Sequence, residues 1–256
     1  RMGVNRNRII VTRATVRVAR VGGLGLSWQA RLAPLKRLTV KHTATPTVFV
    51  GGDYAKAFST NGFVNRCSQT GVMTRAMIIN VANDGRLHVP QVAPLRHNPT
   101  VQVIFADNHH PRRQARQLAV VMHTLKTRYH VQHFNAVGHS SGGNIIFDYL
   151  TTPHHDAQPT IRKFVTLGST YPEVTDQLTQ LPVHLPILNV AGQIWHTKGD
   201  GEVPLAGALA FSQRLKQAGF TPVTRIITGS PLTAEHSMLH INPRVDFLIA
   251  KFLFTN

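Results

Sequence analysis

Short apolar runs alternate with longer amphipathic segments along most of the chain, and this alternation restricts the fold more than any other feature. A typical short run, LPILNVAG at 185–192, is almost wholly apolar and ends in glycine. A typical long segment, 111–130, repeats apolar residues at the i, i+3, i+4, i+7 spacing of a helix with one buried face. Buried strands that alternate with helices form mainly parallel sheets. We therefore predict an α/β fold with a mainly parallel central sheet and helices on both faces.

The same patterns place the elements along the chain. Strands are predicted at 9–20, 37–43, 46–53, 100–108, 134–139, 161–169, 185–192 and 223–228. A hairpin is predicted at 77–89, with Asp84 and Gly85 at its turn. Helices are predicted at 111–130, 143–152, 204–220 and 242–254. Since no repeat or linker interrupts this order, we expect residues 1–256 to form a single domain.

The chain is strongly basic. It has 28 Lys and Arg against 11 Asp and Glu, a formal net charge of +17 with histidine neutral. Such a charge favours polyanionic surroundings, such as nucleic acid, anionic lipid or a phosphate-rich cell-wall polymer. Aromatic residues do not interleave with the basic ones as a base-stacking surface requires, so nucleic-acid binding is not expected. An anionic cell-wall or membrane surface is the expected partner, unless the charge serves only solubility.

The compartment is less constrained. The single cysteine, Cys67, excludes a disulfide within the chain, which fits a reducing cytosol or an exported protein without disulfides. No apolar run reaches the roughly 20 residues that a membrane-spanning helix needs. No signal peptide is visible, but the sequence begins at Arg1, so a removed export signal stays open.

The segment AVGHSSGGN, at 136–144, lies between a predicted strand and a predicted helix. In it Gly138 and Gly142 bracket Ser140 in the pattern G-x-S-x-G. A serine that projects above a sheet needs a very sharp turn, and glycine two residues before and after removes the Cβ atoms that would collide. The pattern and its context predict a nucleophile elbow with Ser140 as the catalytic nucleophile.

A nucleophilic serine needs a histidine base, and the base needs an acid that orients it. On this kind of fold the chain order is serine, acid, histidine. Asp200, in the glycine-rich loop HTKGDGEVP after a predicted strand, is the expected acid, and Asp176 is the alternative. His236 and His240 both follow the last predicted strand. His236 is the expected base because it lies closer to that strand, and His240 stays open as the alternative.

An oxyanion hole in this fold combines two backbone N–H groups. The first comes from the residue after the nucleophile, here Ser141. The second comes from the loop after an early strand, where Gly51 and Gly52 precede Asp53. The sequence therefore predicts the N–H groups of Ser141 and Asp53 as the oxyanion donors, with Tyr54 as the alternative to Asp53.

These residues resemble the α/β-hydrolase superfamily and, more narrowly, a group of hydrolases assigned to the surface of Gram-positive bacteria. The resemblance spans 48–245, and residues 1–45 match only loosely. The matching segments are VFVGGDYAKAFS, AVGHSSGGN, GDGEVPLAGA and EHSMLHINPRV. The chain departs from the usual pattern at Gly51-Gly52, where the group has His-Gly, and at Ser141, where it has methionine. The resemblance implies an exported, esterase-like or lipase-like serine hydrolase.

The predicted function is cleavage of a carboxylic ester or related acyl bond through Ser140, His236 and Asp200, with an acyl-enzyme and no metal or organic cofactor. The expected substrate is a small-molecule or lipid-like ester, and the expected location is extracellular or at the cell surface, with the cytoplasm left open. The alternative is a non-catalytic module on a hydrolase scaffold that binds anionic wall polymer through its basic surface. Segments 53–75 and 170–184 are expected to form either part of a small cap or part of the core, and the aromatic and aliphatic residues concerned are Phe58, Phe63, Tyr171 and Leu178.

Overall fold

The structure is a computed structural model that describes residues 30–52, 57–172 and 176–255, with the side chains of 57–59 omitted. The strand predicted at 9–20 and the oxyanion donor predicted at Asp53 lie outside the described residues.

The described strands form one sheet of eight, in the order β3-β2-β4-β1-β5-β6-β7-β8. The strands are β1 (Thr47–Val50), β2 (Thr74–Val81), β3 (Leu87–His88), β4 (Pro99–Phe105), β5 (His133–His139), β6 (Thr160–Leu167), β7 (Ile187–Ile194) and β8 (Val223–Gly229). Every neighbouring pair is parallel except β2 and β3, which form an antiparallel hairpin. The prediction of a mainly parallel sheet, and that of a hairpin at 77–89, are confirmed.

Helices cover both faces of the sheet. The helices are α1 (30–37), α2 (Ala57–Gln69), α3 (Pro111–Arg128), α4 (Ser141–Thr151), α5 (Leu205–Gln217), α6 (Pro231–Ala234) and α7 (Pro243–Phe254). Apolar side chains of α3, α4 and α5 pack on one face, and those of α1, α2 and α7 pack on the other. Successive residues of a strand point to opposite faces, so Ala136 of β5 joins the first core cluster and Val137 joins the second.

The prediction of a strand at 37–43 is wrong. The helix α1 ends at residue 37, and residues 38–43 form no regular element. Their backbone groups bond to separate places: the N–H of Lys41 donates to the Phe254 carbonyl at 2.8 Å, and the N–H of Thr43 donates to Asn98 Oδ1 at 3.0 Å. Leu38 and Val40, which give the segment its apolar alternation, pack against the second core cluster, but the segment does not pair with a strand.

The described parts of the two segments that were expected to be cap or core belong to the core. Residues 57–69 form α2, and Phe63 of this helix is buried in the second core cluster. Tyr171 and Leu178 are buried in the first cluster. The Phe58 side chain is not among the described ones. Sequence reasoning did not predict α2 because Ser, Thr, Asn and Gly, which favour turns and caps, interrupt its apolar spacing.

A buried ion pair fixes α2 to α7. Arg66 donates through Nε and Nη2 to the two carboxylate oxygens of Asp246, at 2.5 and 2.9 Å. Its Nη2 also donates to the carbonyl of His240 at 3.1 Å. Arg66 therefore connects two helices to the 3-10 turn His236–His240, which carries the predicted base. No helix among the described residues combines the length and the apolar character needed to cross a membrane.

Candidate active site

The predicted catalytic residues follow three strands, β5, β7 and β8, at the carboxyl edge of the sheet. Ser140 directly follows β5, Asp200 lies in the loop after β7, and His236 follows β8 and α6. Strand β6 lies between β5 and β7 in the sheet. In parallel α/β sheets, ligands gather at this edge because the loops from adjacent strands converge there.

The turn at Ser140 has the geometry of a nucleophile elbow. Its backbone has φ 55° and ψ −130°, a conformation that costs strain for any residue except glycine. A Cβ atom at Gly138 would lie 2.5 Å from the Gly143 nitrogen, and one at Gly142 would lie 2.2 Å from the Val50 carbonyl oxygen. Both glycines are therefore required by close backbone contacts, as the sequence pattern predicts.

The surroundings of the predicted oxyanion hole are partly described. Ser141 is the first residue of α4, so its N–H lies in the first turn of the helix, where backbone N–H groups point towards the helix start. The loop after β1 passes directly against the serine, because a Cβ atom at Gly52 would lie 2.7 Å from the Ser140 Cβ atom. This contact places the chain that leads into Asp53 beside the elbow.

Asp200 and His236 form a buried pair. The His236 Nδ1 atom lies 2.9 Å from Asp200 Oδ2, and the two side chains are 4% and 1% exposed. The other carboxylate oxygen, Oδ1, accepts the N–H groups of Val203 at 2.7 Å and Glu202 at 3.0 Å. The backbone N–H of His236 also donates to the Asp200 carbonyl at 3.0 Å. This network holds the imidazole with Nδ1 towards the acid, as a catalytic histidine requires.

The electrostatics of the pair favour its charged form. Burial alone would raise the pKa of Asp200, but hydrogen bonds from His236 and from the Val203 and Glu202 N–H groups bring it below the ordinary value. Burial alone would lower the pKa of His236. The hydrogen bond to Asp200 and the charges of Asp200, Glu202 and Glu235 outweigh burial and raise this pKa above its ordinary value. An imidazolium that formed during a reaction would be stabilised at this position.

The two residues that the sequence left open as alternatives, His240 and Asp176, lie in other surroundings. His240 lies in the same 3-10 turn as His236, but its ring packs edge-on against His139, with centroids 4.8 Å apart. Burial lowers the pKa of His240. Asp176 precedes the 3-10 turn Gln177–Gln180 and is exposed, whereas the carboxylate at His236 Nδ1 belongs to Asp200.

Sequence reasoning missed the part played by His139, the residue immediately before the serine. Its Nε2 atom lies 3.0 Å from the His236 carbonyl oxygen, and its ring lies 4.7 Å from the His236 ring. Burial, assisted by the charges of His240 and His236, lowers the pKa of His139 to about 3, so the ring is neutral and Nε2–H donates to the carbonyl. The position of His139 inside the G-x-S-x-G pattern was the only sequence signal that it would lie near the catalytic histidine.

The structure brings the serine near the acid–base pair without joining them. The N–H of Ser140 donates to the Leu167 carbonyl at 2.8 Å, and a Cβ atom at the next residue, Gly168, would lie 3.1 Å from His236 Nδ1. Among the described residues, no hydrogen bond connects the Ser140 hydroxyl with the His236 ring. A carboxylate oxygen of Glu202 lies 3.5 Å from His236 Nε2.

Comparison with known families agrees with the fold. The family described as "Alpha/beta hydrolase of unknown function (DUF915)" matches residues 36–180 and 173–256. The chain belongs to this α/β-hydrolase family. No curated protein matches the chain.

Solved structures share the fold of this α/β hydrolase. The product of gene lin2722 from Listeria innocua is 23% identical, with a TM-score of 0.74, and the match covers 82% of this chain and 93% of that one. A protein from Lactobacillus plantarum described as a cell surface hydrolase is also 23% identical, with a TM-score of 0.68 and coverage of 82% and 91%. The esterase PE8 is 12% identical, with a TM-score of 0.51 and coverage of 84% and 98%.

The contact between Asp200 and His236 leads to a prediction that does not depend on activity. Asp200→Asn removes the charge that stabilises the imidazolium, so the pKa of His236 is expected to fall. Asp176→Asn removes the same charge from an exposed position and is expected to leave that pKa unchanged. NMR titration of the His236 ring protons measures both variants. An equal pKa in wild type and Asp200→Asn would contradict the pairing.

Proposed function

We propose that this α/β hydrolase is a serine hydrolase that cleaves a carboxylic ester or a related acyl bond. The observation that carries the proposal is the strained, glycine-bracketed Ser140 at the sheet edge where the buried Asp200–His236 pair also lies. The chain order serine, acid, histidine also matches that of a Ser-His-Asp triad on this fold, and the buried His236 presents Nδ1 to the acid.

The proposed reaction has two halves. The Ser140 hydroxyl oxygen attacks the carbonyl carbon while His236 Nε2 takes its proton, which forms a tetrahedral intermediate. The imidazolium then gives that proton to the leaving alcohol, and the acyl group stays on Ser140. Water, deprotonated by the same nitrogen, attacks the acyl-enzyme. The bond between Ser140 Oγ and the acyl carbon then breaks, the imidazolium returns its proton to Oγ, and the acid is released. Asp200 keeps Nδ1 protonated throughout and stabilises the imidazolium.

The negative oxygen of each intermediate needs donors that are in place before the reaction. In the proposal these are the N–H groups of Ser141 and Asp53. The first N–H groups of α4 also carry the positive end of its dipole, which stabilises a nearby anion.

The free enzyme needs one adjustment before the reaction. The His236 Nε2 atom must come within hydrogen-bond distance of the Ser140 hydroxyl, and such contacts often tighten only when substrate is bound. His139 bonds to the main-chain carbonyl of His236 and not to its ring nitrogens, so this contact does not occupy Nε2.

A fluorophosphonate probe tests the nucleophile, with the neighbouring serine as a matched control. Ser140→Ala is expected to abolish labelling and to lower the turnover of chromogenic esters by about 10,000-fold or more. Ser141→Ala keeps the backbone N–H that the oxyanion hole needs, so its labelling is expected to continue. Labelling that is lost in Ser141→Ala and kept in Ser140→Ala would identify Ser141 as the nucleophile and contradict the assignment of Ser140.

The two histidines of the 3-10 turn provide a second matched pair. His236→Ala removes the base and is expected to lower ester turnover by about 1,000-fold or more. His240→Ala removes a ring that packs on His139, so a much smaller loss is expected. Turnover is compared after circular dichroism has shown that both variants are folded. Activity that survives in His236→Ala and disappears in His240→Ala would reverse the assignment of the base.

We further propose that the protein works at an anionic surface outside the cytoplasm. The net charge of +17 supports this location, as does the description of the Lactobacillus plantarum neighbour as a cell surface hydrolase.

Sedimentation with phosphatidylglycerol vesicles is expected at low salt and is expected to be lost at high salt, because the attraction is screened. Phosphatidylcholine vesicles are the control. A wild-type protein that binds anionic vesicles but is never labelled at Ser140 would favour the non-catalytic binding module.

A further inference from the structure

The loop that carries the predicted acid also brings a second carboxylate to the predicted base. Asp200 Oδ1 accepts the N–H groups two and three residues later, at Glu202 and Val203, which closes a tight turn. Gly201, inside the turn, has φ 100°, a value that favours glycine. The turn reverses the chain within three residues and brings Glu202 to the outer side of the imidazole.

The two ring nitrogens of His236 therefore face different carboxylates. Nδ1 lies 2.9 Å from the buried Asp200, and Nε2 lies 3.5 Å from Glu202, whose side chain is 63% exposed. A neutral imidazole has a single N–H, and here it is donated from Nδ1 to Asp200. The Nε2 atom would then present a lone pair to a negative carboxylate, which is unfavourable. The contact with Glu202 is favourable only when Nε2 is also protonated.

Among the described residues, the other charged and titratable groups around the ring do not provide this contact. The Glu235 carboxylate accepts the N–H of Ser237 at 3.0 Å and caps the 3-10 turn. His139 and His240 are the neighbouring histidines, and burial lowers the pKa of each. Arg66, whose charge acts on His240, donates to the His240 carbonyl and to Asp246. Glu202 is thus the group placed to pair with a proton on Nε2.

We propose that Glu202 is a proton-dependent latch, which pairs with protonated His236 in the resting enzyme and releases Nε2 towards Ser140 when the ring loses that proton. This inference rests on the proposed function, because the latch controls the nitrogen that is proposed to activate the serine. Glu202 is a positioning residue and does not touch the reacting atoms. Its exposed side chain can rotate into solvent without breaking a buried contact.

The latch has a defined effect on the pH dependence of the reaction. The charge of Glu202 adds to that of Asp200 and raises the pKa of His236, so the base becomes available only at higher pH. Without Glu202, more of the enzyme holds a neutral imidazole under mildly acidic conditions. Removal of this carboxylate should therefore accelerate the attack of Ser140 on the acid side of the profile and not on the alkaline side.

The direct test measures the pKa of His236 by NMR titration in wild type and Glu202→Gln. The substitution removes the charge and keeps the backbone N–H that holds Asp200. The pKa is expected to be lower in Glu202→Gln. Asp156→Asn is the matched control, because it removes one exposed negative charge from the loop before β6, at the opposite end of the strands, and is expected to leave the pKa unchanged. An equal pKa in Glu202→Gln and wild type would overturn the latch.

The rate of fluorophosphonate labelling, measured against pH, tests the functional consequence. Below the wild-type midpoint, Glu202→Gln is expected to be labelled about two- to fivefold faster, the range for a single partly exposed ion pair. Above the midpoint the advantage should disappear. A labelled protein whose midpoint is the same in both forms would also overturn the latch. Absence of labelling at every pH would instead contradict the proposed hydrolase, while the NMR titration still decides the contact.

Discussion

The missing Cβ atoms at the elbow determine where the rest of the site can lie. Strand β1 and helix α4 come so close to the turn that side chains at Gly138 and Gly142 would overlap backbone atoms. This closeness lets the chain reverse at one residue, and the surrounding packing holds Ser140 at its positive φ. The hydroxyl group is consequently presented at the carboxyl edge of the sheet, where loops from the neighbouring strands can reach it.

The loop after β7 contributes two carboxylates with opposite environments. Asp200 is buried and held by two backbone N–H groups, so its position hardly depends on solvent. Glu202 is exposed and lies on the other side of the same ring. One tight turn therefore supplies a buried partner that orients His236 and an exposed partner that we propose responds to its protonation. The first suits a fixed catalytic role, and the second suits control of when the base is free.

Local patterns were reliable where local physics decides the structure. The period of apolar residues predicted the parallel sheet and the helices, because burial on two faces requires it. Steric contact around a serine predicted the elbow at Ser140. The same reasoning failed at 37–43, where the segment bonds to the Phe254 carbonyl of α7 and to the Asn98 side chain, and at α2, whose polar residues interrupt the apolar spacing of its buried face. In neither segment do the residues themselves indicate the structure that forms.

The sequence by itself determined the class of fold, the place of the serine and a short set of acids and histidines downstream. Only the tertiary structure decided which members of that set meet. Asp200 and His236 are 36 residues apart, and His139 and His236 are 97 apart, yet each pair is in direct contact. Such contacts depend on the direction in which separate loops leave adjacent strands, and that direction is set by the packing of the whole sheet.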